Sequence, residues 1–250
     1  MTDDLHTIDL NCDLGEGGTY DAVIMPLVSS ANIASGGHAG DIKSIQEAVL
    51  LARHHATAIG SHPGHSDPER FGRRAHPISP DAAADLVLNQ VARIAAVAGD
   101  DLHHVKLHGA LYHQVGRSEA LAIAVSRKLA VEWPHLFLYA AAGSPLASIA
   151  THEGLHVIPE AFADRRYHES GELISRTEDN ATIESANEAA TQAYEIARHN
   201  VITTPSGKQI PISAETLCVH GDGLVPFEII QAIHSLLARE GIRITQPIHH

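Results

Sequence analysis

Seven short β-rich runs separated by helical stretches do most to narrow the folds open to this chain. They are HTIDLNCD (6–13), SSANIA (29–34), TAIGSH (57–62), HVKLH (104–108), LFLYAA (136–141), LHVIPE (155–160) and TLCVHGD (216–222). Between them, Asp41 opens a helix whose Ile42, Ile45, Val49 and Ala52 share one face. Ser79-Pro80 and Ser144-Pro145 each supply an N-cap followed by a first-turn proline. Further helices are expected from Ser118 to near Trp133, over 181–199, and from Pro226 to Gly241. VITTPSGKQIPIS (201–213) reads as an inserted β-hairpin around Pro-Ser-Gly.

Strands alternating with helices imply a parallel sheet with right-handed crossovers, left open or closed into a barrel. The order of residues within the strands favours closure. Neighbouring strand residues point to opposite faces, so Val105 and Leu107 oppose Lys106 and His108. In the same way Ile8, Leu10 and Cys12 oppose Asp9, Asn11 and Asp13, and Leu217 and Val219 oppose Cys218, His220 and Asp222. An open sheet covered by helices would bury those polar faces beneath apolar side chains, and unpaired charge is costly there. A barrel gathers them into one lumen, where they can satisfy one another. The expectation is an α/β chain forming a seven-stranded (β/α) TIM-like barrel, one domain over 1–250, with the hairpin inserted near 201–213.

Composition limits the partners. The formal charge is -13, with 17 Lys+Arg against 30 Asp+Glu, which argues against nucleic acid and against anionic membrane surfaces. The opening MTDDLHTIDL lacks the basic-then-apolar pattern of a secretory leader, and no apolar run approaches bilayer length, so a cytoplasmic location is expected. Cys12 and Cys218 each fall in a strand and read as small buried hydrophobes rather than a disulfide. The closing His249-His250 is set aside.

Active sites of such barrels lie at the C-terminal strand ends and in the loops that follow. The residues converging there are Asp9, Asn11, Asp13, Glu16, Asn32, His38, His62, Lys106, His108, Glu160, Asp164, His220 and Asp222. Any one of them could be a paired lumen residue or a loop cap. A purely structural barrel, however, fills its lumen more cheaply with branched apolar side chains. Two long loops surround this rim. The 60–78 loop carries Arg70, Arg73 and Arg74, and the 161–176 loop carries Arg165, Arg166 and Tyr167. Their guanidinium forks suit carboxylate or phosphate, although each could equally pair with a surface acid. NIASGGHAGD (32–41) has glycines that let backbone approach a ligand, but no P-loop or dinucleotide glycine turn occurs.

DLNCDLGE (9–16), SSANIASGGHAGD (29–41), GSHPG with FGRR (60–64, 71–74), HVKLHGALYH (104–113), EAFADRRY (160–167) and CVHGDG (218–223) resemble, in order, the signature segments of the LamB/YcsF family. The resemblance implies a barrel of the glycoside hydrolase/deacetylase type. It also implies a role as the A subunit of an ATP-dependent 5-oxoprolinase, which opens the lactam of 5-oxo-L-proline to L-glutamate with partner subunits B and C. ATP with Mg2+ would be the co-substrate. The chain departs from the family pattern at several places: Ser35 stands where a cysteine is usual, Gly37 where an aromatic is, Leu107 where a proline is, and His65 where a tyrosine is. The loop after Glu16 is short and lacks the expected aromatics.

Amide resonance protects an unstrained lactam. Opening it needs a base for water, a cation for developing negative charge and a clamp on the substrate carboxylate. Asp13 or His108 suits the base, Lys106 the cation, and Arg73 or Arg74 the clamp, with Asp9 and His220 completing the catalytic set. Asn11, Glu16, Asn32, His38, His62, Glu160, Asp164, Arg165 and Asp222 are expected to contact substrate. Two other readings stay open. One is a stand-alone amidohydrolase or deacetylase holding a divalent metal on Asp13 and His62 with His38 or His65; the other is a non-catalytic lactam-binding module. Asp9, Asp13, His62, Lys106, His108 and His220 are expected to share one cavity. Lys106→Met is expected to fold normally, since it removes a desolvated charge.

Overall fold

The computed structural model describes residues 6–18 and 20–248, so Met1 to Leu5 of the acidic opening and His249-His250 lie outside the described residues. In chain order the elements begin with β1 (Thr7–Leu14), α1 (Asp21–Ile24), β2 (Ser30–Ala34), α2 (Ile42–His55), β3 (Ala58–His62), α3 (Pro80–Ala98) and β4 (Leu102–Lys106). They continue with α4 (Gly109–Arg117), α5 (Glu119–Glu132), β5 (Phe137–Ala141), α6 (Pro145–His152), β6 (His156–Phe162) and α7 (Ala186–His199). The last are β7 (Val201–Thr203), β8 (Gln209–Pro211), β9 (Thr216–His220), α8 (Pro226–Arg239) and β10 (Arg243–Ile244).

Strands β1 to β6 and β9 pair in parallel, and β1 also pairs with β9, so seven strands close into a barrel with helices around it. β7 and β8 form a separate antiparallel pair, and β10 adds to β1 at Thr7 and Ile8. The alternation within strands has a direct physical outcome. Leu10, Cys12, Val105, Leu217 and Val219 join the apolar shell beneath the helices. Asp9, Asn11, Asp13, His104, Lys106 and Thr216 are buried on the opposite face, in the lumen.

Helix positions follow from their caps. The Asp41 carboxylate accepts from Ser44 N and the Ser44 hydroxyl accepts from Asp41 N, closing a reciprocal box at the start of α2. Ser79 and Ser144 cap α3 and α6, each with proline in the first turn. By length and composition Pro80–Asp101 could cross a membrane, an exception to the sequence expectation. Its Ala83, Val87, Val91, Ile94 and Ala98 are buried at helical spacing in the core shared with the barrel.

Two features differ from the sequence reading. The HVKLH strand runs Leu102–Lys106, so Leu107 and His108 lie beyond it, and His108 is already the N-cap of α4, a helix not among those expected from the sequence. Between Ile59 and Gly60 the β3–β4 register shifts. The shift falls where the His104 ring packs against Gly60: a Cβ there would meet its Nε2 at 2.1 Å, so only glycine lets the ring into the lumen.

Candidate active site

The lumen polar residues stack in storeys, because every second residue of each strand points inward and rises about 6.6 Å. At the bottom, Asp9 accepts from the hydroxyls of Ser29 (2.6 Å), Ser30 (2.8 Å) and Thr216 (2.5 Å). Burial raises its pKa, and the hydroxyl hydrogen bonds oppose that rise. One storey up, Asn11 donates to Glu160 (3.0 Å) and to the Thr216 hydroxyl (2.8 Å). Asn32 donates to Asn11 and to Asp13, both at 2.8 Å, and its own carbonyl faces His104 Nε2 at 2.8 Å.

Lys106 is the hub between these storeys. Its ammonium, on a side chain 2% exposed, lies 3.0 Å from Asp13 and 3.0 Å from Glu160. It also donates to Asn11 at 3.1 Å and to the Cys218 sulfur at 2.9 Å. Burial alone would push its pKa down, but Asp13, Cys218 and Glu160 hold it well above the ordinary lysine value. Burial likewise works against an ionised Asp13, yet His62 and Lys106 hold it well below the ordinary carboxylate value. The pair is therefore charged although buried.

The mouth above it is a cavity of ≈ 550 Å³ whose wall includes Asp13, His62, Lys106, His108, Phe162 and His220. Further out, Arg73, His113, Arg117, Arg165 and Arg176 line it. Asp9 does not reach it. Four residues before Asp13, it sits roughly 13 Å lower in the barrel and faces a separate cavity of ≈ 820 Å³ at the N-terminal strand ends. Its placement among the catalytic residues is thereby corrected.

Other expected residues take distinct places. Asn11 and Asn32 are completely buried beneath the cavity, where they carry hydrogen bonds to Asp13 and Lys106 rather than contacting substrate. Glu160 accepts from Tyr112 at 2.9 Å and anchors Lys106. Arg73 pairs with Asp222, which Arg176 also approaches at 4.0 Å. Of the two arginines expected as a clamp, Arg73 lines the cavity and Arg74 does not. Arg165 reaches the wall, but its guanidinium donates to the carbonyls of Ala181 and Ile174 and so ties the 161–176 loop to the chain after it. His65 turns away to Gln114 at 2.6 Å, which removes it from any metal set with Asp13.

The Asp164 carboxylate accepts from His220 Nδ1 at 2.9 Å and from His220 N at 2.9 Å. Burial would raise Asp164, but the charge and hydrogen bonds of His220 hold it below the ordinary value. In the neutral ring, with Nδ1 donating to the carboxylate, Nε2 of His220 is left with its lone pair. This orientation of a histidine by a carboxylate is the arrangement of a general base with its positioning residue.

Glu16, His38, His62 and His108 form a second cluster, which meets Asp13 through His62. His38 and His108 stack with ring centroids 3.6 Å apart. Two glycines make room for them: a Cβ on Gly64 would meet His38 Nδ1 at 2.7 Å, and one on Gly72 would meet His38 Cβ at 2.7 Å. Burial lowers His38 to about 3 and lowers His108 strongly, and His62 adds to both effects. Burial and the nearby Asp13 and Asp222 push Glu16 well above the ordinary value.

The departures at 35 and 37 have structural explanations. Ser35 bridges Ser61 Oγ at 2.9 Å and accepts from His62 N at 3.1 Å, so a hydroxyl fixes the end of β3. A Cβ on Gly37 would meet Gln90 and the Gly64 carbonyl at 2.6 Å; Gln90 fills the space an aromatic would need. Sequence reasoning missed Arg176, Tyr112 and His113, which reach the cavity from the loop before α7 and from the unexpected α4. It also passed over His104, which shares the parity of Lys106 and His108 and was legible on that ground.

Two of the arginines at this cavity, Arg73 and Arg176, share the single carboxylate of Asp222, and Arg117 meets the exposed Glu172. No glycine-rich phosphate loop occurs in the sequence to mark a nucleotide site.

Residues 8–250 match the LamB/YcsF family. The A subunit of 5-oxoprolinase from Staphylococcus carnosus is 41% identical over 247 residues, covering 96% of this chain and 98% of that protein. The one from Symbiobacterium thermophilum is 42% identical over 248 residues, covering 96% of this chain and 95% of that protein. Among solved structures, a lactam utilization protein from Thermus thermophilus superposes with a TM-score of 0.89 at 35% identity, covering 96% and 99% of the two chains. A family 4 carbohydrate esterase from Streptomyces lividans, at 10% identity and a TM-score of 0.53 over 96% of this chain and 92% of its own, shares the barrel fold. A barrel whose mouth is built from the ends of its signature segments, matched over nearly its whole length, places this chain in the LamB/YcsF family.

Proposed function

We propose that the chain is the A subunit of an ATP-dependent 5-oxoprolinase, and that the cavity above Lys106 holds the lactam. The observation that carries this reading is the near-complete match, at about two residues in five, to proteins named as the A subunit of 5-oxoprolinase. The cavity chemistry agrees with it. Phe162, Leu173 and Ile174 offer apolar surface for ring methylenes, and Arg73 and Arg176 offer cations for a ring carboxylate.

In this reading His220 is the base that takes a proton from water, and Asp164 positions it. Asp13 and His108, the bases expected from sequence, suit the task less well. Asp13 is held ionised by Lys106 and His62, which lowers its basicity. The near nitrogen of His108 faces His62 rather than open cavity. Lys106 lies at the floor of the cavity, where its positive charge stabilises the negative charge that develops on the lactam oxygen. ATP is a co-substrate of the assembled enzyme, and partner subunits B and C hold it, since this chain has no glycine-rich phosphate loop.

The test is formation of L-glutamate from 5-oxoproline with ATP and Mg2+, using the chain alone and mixed with subunits B and C. The chain alone should turn over negligibly while the mixture is active. Full activity of the isolated chain without ATP would instead support a stand-alone amidohydrolase.

A further inference from the structure

The four-residue cluster of Glu16, His38, His62 and His108 brings ring nitrogens and carboxylate oxygens together in a way that either an extra proton or a bound cation must relieve. His62 Nδ1 lies 2.8 Å from the Lys106 carbonyl, and His108 Nε2 lies 2.9 Å from the Phe71 carbonyl. A carbonyl only accepts, so both of those nitrogens must carry the hydrogen. In neutral rings the remaining nitrogens, His62 Nε2 and His108 Nδ1, both hold lone pairs, and they face each other at 2.9 Å, so the contact needs either an extra proton on one of them or a cation between them.

The groups around this pair are acceptors as well. Asp13 Oδ2 is 3.4 Å from His62 Nε2, and Glu16 Oε1 is 3.5 Å from His108 Nδ1 and 3.0 Å from His38 Nε2. His38 Nδ1 is buried with no hydrogen-bond partner, so nothing fixes that ring's tautomer against offering Nε2 as a ligand. Lone pairs converging in a buried space repel one another unless a proton or a metal cation lies between them.

The spacings suit a metal ion. Ligands about 2.1 Å from a metal lie roughly 3.0 Å apart at right angles and roughly 3.4 Å apart at tetrahedral angles. The contacts of 2.9, 3.0 and 3.5 Å within the cluster match those edges. The two carbonyls orient the imidazoles from behind, as outer partners of metal-bound histidines do.

We propose that Glu16, His38, His62 and His108 bind one divalent first-row transition-metal ion at the mouth of the barrel. Three imidazoles and one carboxylate favour zinc, cobalt or a similar ion over magnesium or calcium, which prefer all-oxygen sites. His65 is excluded by its bond to Gln114. His62 and His108 also line the cavity, so an ion here would supply Lewis-acid polarisation to a carbonyl bound there.

The full chain, stripped with a chelator and dialysed, is titrated calorimetrically with Zn2+ alone and with Co2+ alone, in the absence of lactam and ATP. One equivalent of each should bind, and Zn2+ should displace the visible absorption of the cobalt form. His108→Gln and His62→Gln should each weaken binding by at least about tenfold, while the control His65→Gln should leave it unchanged. If either variant melts well below wild type, nitrogen-15 NMR of histidine-labelled wild type replaces it. Added Zn2+ should then shift His62 Nε2 and His108 Nδ1. Absence of saturable binding, equal binding by wild type and both folded variants, or an NMR signature of one proton shared between His62 and His108 that Zn2+ does not alter would each overturn the site. Because no turnover is read, failure here leaves the oxoprolinase reading standing, and the reverse also holds.

Discussion

The lower and upper storeys of the lumen draw on the same strands a few residues apart, yet they handle buried polarity in opposite ways. Below, Asp9 is encircled by the hydroxyls of Ser29, Ser30 and Thr216, each donating inward. Above, Asp13, Lys106 and Glu160 share charge, and three imidazoles crowd together with Glu16. Satisfied hydrogen bonds rigidify a fold, whereas charges and lone pairs held in tension are what chemistry uses. The contrast teaches that burial of polar residues in one barrel does not by itself mark a site; the kind of partner does.

The largest effect expected from breaking this contrast is on stability. Lys106→Met leaves Asp13 and Glu160 facing each other without their shared cation, and loss of one member of a buried ion network costs about 3–5 kcal/mol. The sequence expectation that this variant folds normally counted only the desolvated lysine and not its two carboxylate partners. Urea denaturation should show the loss; a midpoint equal to wild type would mean that the carboxylates take up protons at little cost.

Much of this was legible in the sequence. The parity of DLNCD and HVKLH assigned Asp13, Lys106 and His108 to a lumen because an open sheet has nowhere to put them. Parity gives the face but not the depth, which is why Asp9 was grouped with residues about 13 Å above it. Cys218 was read as a hydrophobe although its parity with His220 points it inward, to Lys106. Arg176 and the choice of Arg73 over Arg74 depend on how long loops fold back across the mouth, and no strand or helix periodicity encodes that. The dyad of Asp164 with His220 joins segments 56 residues apart in sequence, so only the closure of β6 against β9 brings them together.

A smaller effect is expected in the lower storey. Thr216→Val removes the donor to Asp9 and an acceptor for Asn11, which should cost about 1–3 kcal/mol. The same variant should leave kcat/KM of the assembled enzyme unchanged. Loss of turnover without loss of stability would bring Asp9 and its neighbours back into the site.

The smallest effect concerns acid. A carboxyl held below its unfolded value stabilises the fold above the unfolded carboxylate range, and that contribution fades as pH falls through the lower folded value. Asp164 is in that state. Unfolding free energies measured from about pH 6 to about pH 2 should therefore fall less steeply in Asp164→Asn than in wild type. Parallel curves would show that His220 does not perturb Asp164.

The most direct test of the central claim, that the upper storey with its oriented histidine performs the chemistry, is the rate of L-glutamate formation by the chain reconstituted with subunits B and C, comparing His220→Gln with wild type. Removing a general base should lower kcat by about 10²–10⁴-fold while the melting temperature stays close to wild type. An unchanged kcat in a correctly assembled complex would contradict the account and take the catalytic base out of this barrel mouth.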